Sequence, residues 1–180
     1  MNAAPRIRPG GRRQVGVVNW AIAAISGRVA GTGPPNLFMT LGRARGLYRG
    51  WLHFAGRLMP GGRLPRRDTE LVILRTAHLR ACQYEFEHHR HLGRRAGVTA
   101  ADVERVKMGP SALEWSPRER VLLAACDELH RDQDLSDGMW QALAKHLDDR
   151  SIIEFVLLVG HYQMLATFIA TLRIETEPRR

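Results

Sequence analysis

The sequence predicts an all-α fold. Apolar residues recur at spacings of three and four along most of the chain, helix-capping signals stand at Thr99, Ser116 and Ser136, and no run alternates as a strand would. The first helix carries Val17, Trp20, Ile22, Ala24 and Ile25 and stops at the Gly31–Pro35 turn. Pro34-Pro35 then opens a second through Leu37, Phe38 and Leu41. A third carries Leu47, Trp51, Phe54 and Leu58 at steps of four, three and four. The segment from Met59 to Pro65 is the one strong break.

From Asp68 a long helical stretch runs to about Ala96 and ends at Gly97. Thr99 with Asp102 starts a short helix that stops near Gly109. Ser116, Pro117 and Glu119 supply an N-cap, a first-turn proline and the acid of a capping box, and that helix continues through Leu122, Ala125 and Leu129. Ser136 caps the next, with Met139, Trp140, Leu143 and Leu147. The last begins near Asp149 and is expected to bury Ile152, Ile153, Val156, Leu157, Met164, Leu165 and Ile169. Residues 1–33 read as a basic N-terminal extension with a short helix, and 34–180 as a single helical domain.

Composition narrows the function classes. A 180-residue chain with 44% apolar and 25% charged residues is neither disordered nor fibrous and can bury a core. Cys82 and Cys126 are too few for a disulfide scaffold, so they are expected as free thiols in a reducing, cytoplasmic setting. The net charge of +9 is unevenly spread: residues 1–67 hold twelve arginines and no acid. No recognition motif accompanies them, and the arginine fork suits carboxylates of the same domain or of a sister subunit. Neither nucleic acid nor a membrane is therefore expected as a partner. Arg12-Arg13 before an apolar run has the outline of a twin-arginine signal, but Asn19 interrupts it and no small-residue cleavage site follows. The other apolar stretch, Ile152–Leu172, contains Glu154, His161 and Gln163 and reads as a buried helix.

Chemistry concentrates between Glu70 and His91. On a helix, Cys82, Glu85 and His89 share one face, bringing a thiol, a carboxylate and an imidazole together. Glu85 and His89 could move protons near neutral pH, and a base or a helix N-terminus could activate Cys82. A solvated Glu/His pair beside a core cysteine is the plainer alternative. His78, His88, His89 and His91 invite a metal, but the Glu85/His89 and Glu87/His91 pairs lie about 200° apart around the axis, so neither a metal nor a cofactor is expected.

The residues Glu70-Leu-Val-Ile-Leu-Arg75, Cys82-x-Tyr84-Glu85-Phe86-x-x-His89, Gly97-Val98 and Gly160-x-Tyr162 resemble the carboxymuconolactone decarboxylase family, which includes AhpD-like alkylhydroperoxidases. The resemblance runs from Pro34 onward. It implies an all-helical protein assembling into trimers or hexamers, with active sites near subunit contacts. In the peroxidase branch a glutamate precedes a Cys-x-x-Cys by twelve residues, and a histidine follows the second cysteine by four. Glu70, Cys82 and His89 match that pattern; Glu85 stands where the second cysteine would be.

If residues 70–89 formed one straight helix, Glu70 and Cys82 would lie about 120° apart. A shared site therefore requires a break near Arg80–Cys82 or a neighbouring subunit.

Three functions follow as expectations. One is acid/base chemistry, decarboxylation or isomerisation, on a small organic acid, lactone or enolisable carbonyl, with Glu85 and His89 as the pair, Glu70 orienting them, and Arg75 and Tyr84 holding substrate. Another is thiol-dependent hydroperoxide reduction by Cys82, with Glu70 and His89 as its proton relay. The third is a helical homo-oligomer that binds a ligand or partner without catalysis.

Overall fold

A computed structural model describes residues 4–177. Helices account for the ordered secondary structure, and no β-strand occurs among the described residues. In chain order they are α1 (Arg12–Val15), α2 (Val17–Ala30), α3 (Asn36–Leu41), α4 (Arg45–Leu58), α5 (Arg66–Leu79), α6 (Gln83–Leu92), a 3-10 turn (Gly93–Ala96), α7 (Ala100–Met108), α8 (Pro117–Asp132), α9 (Asp137–Ala144) and α10 (Asp149–Leu172). The long stretch expected from Asp68 to Ala96 is thus two helices and a 3-10 turn. The capping boxes expected at Thr99/Asp102 and Ser116/Glu119 are both formed, and Ser136 caps α9.

The chain forms two compact units. The first comprises the residues up to Arg57 and those from Thr167 on. Val15, Ala23 and Met39 form its core, with Trp20 and Phe38 packed against them. Phe38 meets Tyr48 and Trp51 edge-on, and the latter two rings stack. A Cβ at Gly27 would lie 2.1 Å from the carbonyl oxygen of Gly33, so only glycine lets α2 pass this close to the following turn.

The second unit, Leu58–Ala166, is organised around α5. All ten residues from Asp68 to Ala77 are buried. Such a helix has no solvent face, and its apolar positions meet several neighbours at once. Leu71, Leu74 and Ala77 pack with Phe86, Val98, Val103, Val106, Trp115 and Leu123.

Two arginines of α5 tie the surrounding helices to it. Arg67 donates to Asp102 Oδ2 at 2.9 Å, to Glu119 Oε1 at 2.8 Å and to the Gly97 carbonyl at 2.6 Å. Asp102 and Glu119 are the capping-box acids of α7 and α8, so one guanidinium locks two helix starts. Arg75 grips both oxygens of Asp127 on α8 and donates to the Val106 and Lys107 carbonyls near the end of α7. Gly109, at φ 90°, leaves room for that guanidinium, since a Cβ there would lie 2.7 Å from it.

The last helix is less buried than its sequence suggests. By length and composition α10 could cross a membrane, and half of its most apolar window is buried within the protein. Ile152, Phe155, Leu158, Val159, Leu165 and Ile169 are buried, whereas Ile153, Val156, Leu157 and Met164 face outward. The apolar run extends right round the helix, so composition could not say which stripe is covered.

Burial raises the Asp102 pKa, but hydrogen bonds from Arg67 and Thr99 prevail and hold it down at about 2, from an ordinary 3.8. Arg67→Ala is expected to destabilise the protein by about 2 kcal/mol at pH 7. The carboxylate's contribution is full above pH 3.8 and is lost as pH falls through about 2, so the gap between wild type and variant should narrow over that window. Urea unfolding midpoints at pH 7, 4 and 2.5 read this directly.

Candidate active site

The chain reverses direction between α5 and α6 in three residues. Arg80 ends the helix at φ −85°, ψ 3°, and Ala81 takes the left-handed conformation at φ 50°. The Cys82 amide returns to the Ala77 carbonyl at 2.8 Å and that of Ala81 to His78 at 3.0 Å, the paired bonds of a Schellman stop. An alanine stands where glycine is usual, so this turn carries backbone strain. Cys82 is then the N-cap of α6. The break that a shared site requires is therefore present within one chain.

With the helices folded back, Glu70 and His89 meet. Glu70 is fully buried on α5; its Oε2 lies 2.7 Å from His89 Nδ1, and its Oε1 accepts from Arg66 at 2.6 Å. The other imidazole nitrogen, Nε2, lies 3.0 Å from the Tyr162 hydroxyl and 3.5 Å from Glu85 Oε2. The His89 and Tyr162 rings are perpendicular, with centroids 5.1 Å apart. Glu85, His89 and Tyr162 are all buried.

Electrostatics follow from this enclosure. Burial presses the His89 pKa down, but the Glu70 charge and hydrogen bond, with Glu85 adding to them, carry it above its ordinary value. Burial and the two carboxylates push Tyr162 well above the usual phenol range, so it stays protonated. His161 is lowered to about 4, by burial and then by His89, and remains neutral at pH 7. Burial raises the Cys82 thiol to about 11, although amide hydrogen bonds from Glu85 and Tyr84 oppose the shift.

Cys82 also lines a cleft of about 170 Å³ with Ala77, His78, Ala81, Gln83, Phe86 and Lys107. The Lys107 ammonium stands 5.7 Å over the Phe86 ring.

The structure thus brings Glu70, Glu85 and His89 together, with Cys82 beside Glu85 at the start of α6. It puts Arg75 elsewhere: its guanidinium is occupied by Asp127 and the end of α7, so it serves to join helices and is not free to hold substrate. Tyr84 is buried and stacks on His88 at 4.7 Å. Cys126 is buried on α8, and burial raises its thiol pKa; both cysteines are free. Among the described residues no three His, Cys, Asp or Glu side chains converge to hold a metal ion.

Chemical reasoning from the sequence did not place Arg66, His161 or Tyr162 in the site. The Arg66/Glu70 spacing of four is a legible signal. Tyr162 lies 73 residues from His89, and no local pattern links them.

Known proteins place this arrangement in context. The model of the carboxymuconolactone decarboxylase family matches residues 45–128. Over that segment, 84 of the 180 residues, the chain is similar to the carboxymuconolactone decarboxylase family. Arg66, Glu70, Cys82, Glu85 and His89 lie inside the family segment, and Tyr162 lies beyond it.

Solved structures share the fold at low identity. An alkylhydroperoxidase AhpD core, an uncharacterized peroxidase-related protein from Ralstonia eutropha JMP134, superposes with a TM-score of 0.82 at 17% identity, covering 97% of this chain and 94% of that one. A peroxidase-related protein from Silicibacter sp. TM1040 gives 0.82 at 16%, covering 91% and 86%. The debrominase Bmp8, in a Cys-to-Ala variant bound to 2,3,4-tribromopyrrole, gives 0.80 at 15%, covering 98% and 94%. No curated protein sequence matches the chain.

Because the folded His89 has a raised pKa, its pairing stabilises the protein fully below the ordinary value of 6.5 and fades as pH rises through the raised one. His89→Gln is expected to cost about 3 kcal/mol at pH 6. The deficit should shrink with increasing pH in chemical denaturation from pH 6 to 9; a constant or growing deficit would contradict a charged His89–Glu70 pair.

Proposed function

We propose that the protein is an enzyme of acid/base chemistry acting on a small organic acid, lactone or enolisable carbonyl. The observation that carries this reading is the carboxylate of Glu85 at 3.5 Å from His89 Nε2, at the position where the peroxidase pattern has a second thiol. Two exchangeable proton carriers stand side by side, and Glu70 orients one of them from behind.

In this reading the substrate must reach Glu85 and His89, which are buried and do not line the cleft beside Cys82. Glu85 takes a carbon-bound proton, and the electron pair of that C–H bond moves into the adjacent carbonyl as an enolate. His89, protonated and braced by Glu70, returns a proton to carbon or oxygen, which completes an isomerisation. In a decarboxylation the C–C pair enters the carbonyl as CO2 departs, and the same imidazolium protonates the carbon. Cys82, with its thiol pKa raised, serves as a neutral hydrogen-bond donor.

A second reading rests on Cys82 as the N-cap of α6, where backbone N–H groups favour thiolate. There the thiolate attacks the terminal peroxide oxygen, the O–O bond breaks, His89 protonates the departing alkoxide, and an external thiol reduces the sulfenic acid. The peroxidase-related names of two proteins of similar fold agree with activity on a peroxide, and the raised Cys82 pKa favours the first reading.

The test compares wild type with Cys82→Ser, Glu85→Gln and His89→Gln. Deuterium exchange and CO2 loss are followed by NMR over a panel of keto acids and lactone carboxylates, and hydroperoxide consumption with a dithiol is assayed in parallel. Expected are losses of at least about 100-fold in kcat for Glu85→Gln and His89→Gln, with Cys82→Ser within about tenfold of wild type. Hydroperoxide turnover abolished by Cys82→Ser would transfer the assignment to the thiol reading. Inactivity of wild type in both assays would leave the non-catalytic oligomer.

A further inference from the structure

The arginines of the first unit are the largest group of charges that the buried Glu70–His89 network does not use. Residues 1–57 carry nine arginines, no lysine and no acid. Arg12, Arg13, Arg28, Arg43, Arg45, Arg49 and Arg57 form no ion pair among the described residues, contrary to the expectation that they meet carboxylates of their own domain. The acids of this unit, Glu175 and Glu177, lie in its C-terminal segment, and Glu177 accepts from the Asn36 amide. The expectation against nucleic acid rests on that pairing and falls with it.

Helix α4 sets part of this charge in a row. Arg45, Arg49, His53 and Arg57 recur every four residues, and all are exposed. A step of four advances about 6 Å and turns about 40°, so the row winds slowly over one side of the helix for about 18 Å. Arg45 reaches back to α1, donating to the Arg13 carbonyl at 2.7 Å and to that of Gln14 at 3.0 Å. These acceptors are neutral, so the guanidinium charge stays uncompensated, and the contact brings Arg13 to the head of the row. Arg43 closes the junction, its side chain lying where a Cβ on Gly10 would point. At Gly46 and Gly50 nothing stands within 4 Å of where a Cβ would point, so the helix is open beside the row.

The opposite face of α4 is apolar and occupied. Tyr48 is fully buried, stacks on Trp51 and meets Phe38 edge-on. A helix lying on a membrane needs that face for the acyl layer, so α4 does not suit a lipid surface. Phe54, 38% exposed, is the one exposed Phe, Tyr or Trp on this helix. Single-stranded nucleic acid is held by stacking its bases on several such rings, and the row offers no such platform.

We propose that this arginine row docks on the phosphodiester backbone of duplex DNA, without regard to sequence. The planar guanidinium fork bonds phosphate oxygens in pairs, and such contacts position a protein on DNA without reading its bases. A row of about 18 Å runs beside about five phosphates of one strand. A helix about 10–12 Å across also fits between the backbones that flank the B-DNA major groove, about 12 Å wide, whereas the major groove of an RNA duplex is too narrow.

The test is fluorescence anisotropy of a labelled DNA duplex of about 20 base pairs, titrated with the full chain at about 50 to 200 mM salt. Wild type should bind in about the micromolar range at the lower salt. With phosphate contacts from Arg13, Arg45, Arg49 and Arg57, log K should fall against log salt with a slope of about −3.6, a loss of about 100-fold over that range. Combining Arg49→Gln with Arg57→Gln should halve the slope to about −1.8 and leave a loss of about tenfold. Arg94→Gln with Arg95→Gln removes two exposed charges from the second unit and should leave the slope as in wild type. Near-UV circular dichroism of each variant separates loss of contact from loss of fold. Absence of binding at the lower salt, an unchanged slope in the α4 variant, or an equal change in the second-unit variant overturns the proposal. Unlabelled single-stranded DNA and phosphatidylserine vesicles serve as competitors, and displacement by either at a lower phosphate concentration than unlabelled duplex overturns it as well.

Discussion

A carboxylate wholly removed from water sets the terms for the second unit. Glu70 sits on the most buried helix of the chain, where an unpaired charge would be very costly. Its two oxygens are met separately, one by Arg66 from the same helix and the other by His89 from the next. Because the second partner is an imidazole, the stabilising contact also orients a titratable ring. His89 cannot turn without exposing Glu70 to an unfilled hydrogen bond, so Nε2 is held toward Glu85 and Tyr162. Stability and the orientation of the imidazole here depend on the same interaction.

The helices around this core are held largely by arginine. Arg67, Arg75 and Arg118 each reach from one helix to a carboxylate on another, and all three also bond main-chain carbonyls. A planar fork with several donors can hold a helix start and a loop at once, which a lysine ammonium does less well. The ion pairs that join helices lie in the second unit, while Arg12, Arg13, Arg28, Arg43, Arg45, Arg49 and Arg57 of the first form none among the described residues. The two halves of the charge asymmetry have different physical roles.

Much of this was legible in the residues. Capping boxes at Thr99 and Ser116 are local chemistry and can be read from four consecutive positions. The Glu85/His89 spacing is local too, and so is the need for a break before Cys82, since helical phase alone separates Glu70 from it. Tyr162 was not legible as a partner of His89, because the contact depends on how α10 packs against α6. Arg75 looked available for substrate because charge in a sequence does not reveal a carboxylate on another helix. On α10 the apolar residues run right round the helix, so pattern could not tell the covered stripe from the open one.

The left-handed turn at Ala81 has one more consequence. It resets the angular phase between α5 and α6, and the meeting of Glu70 with His89 depends on that reset as much as on either residue. One residue added or removed between Leu79 and Gln83 would turn α6 by about 100° and carry His89 away from Glu70 while leaving every helix-forming residue in place. The spacing across this turn is therefore as much a part of the pairing as its side chains, so an insertion or deletion there is expected to separate Glu70 from His89 where a substitution need not.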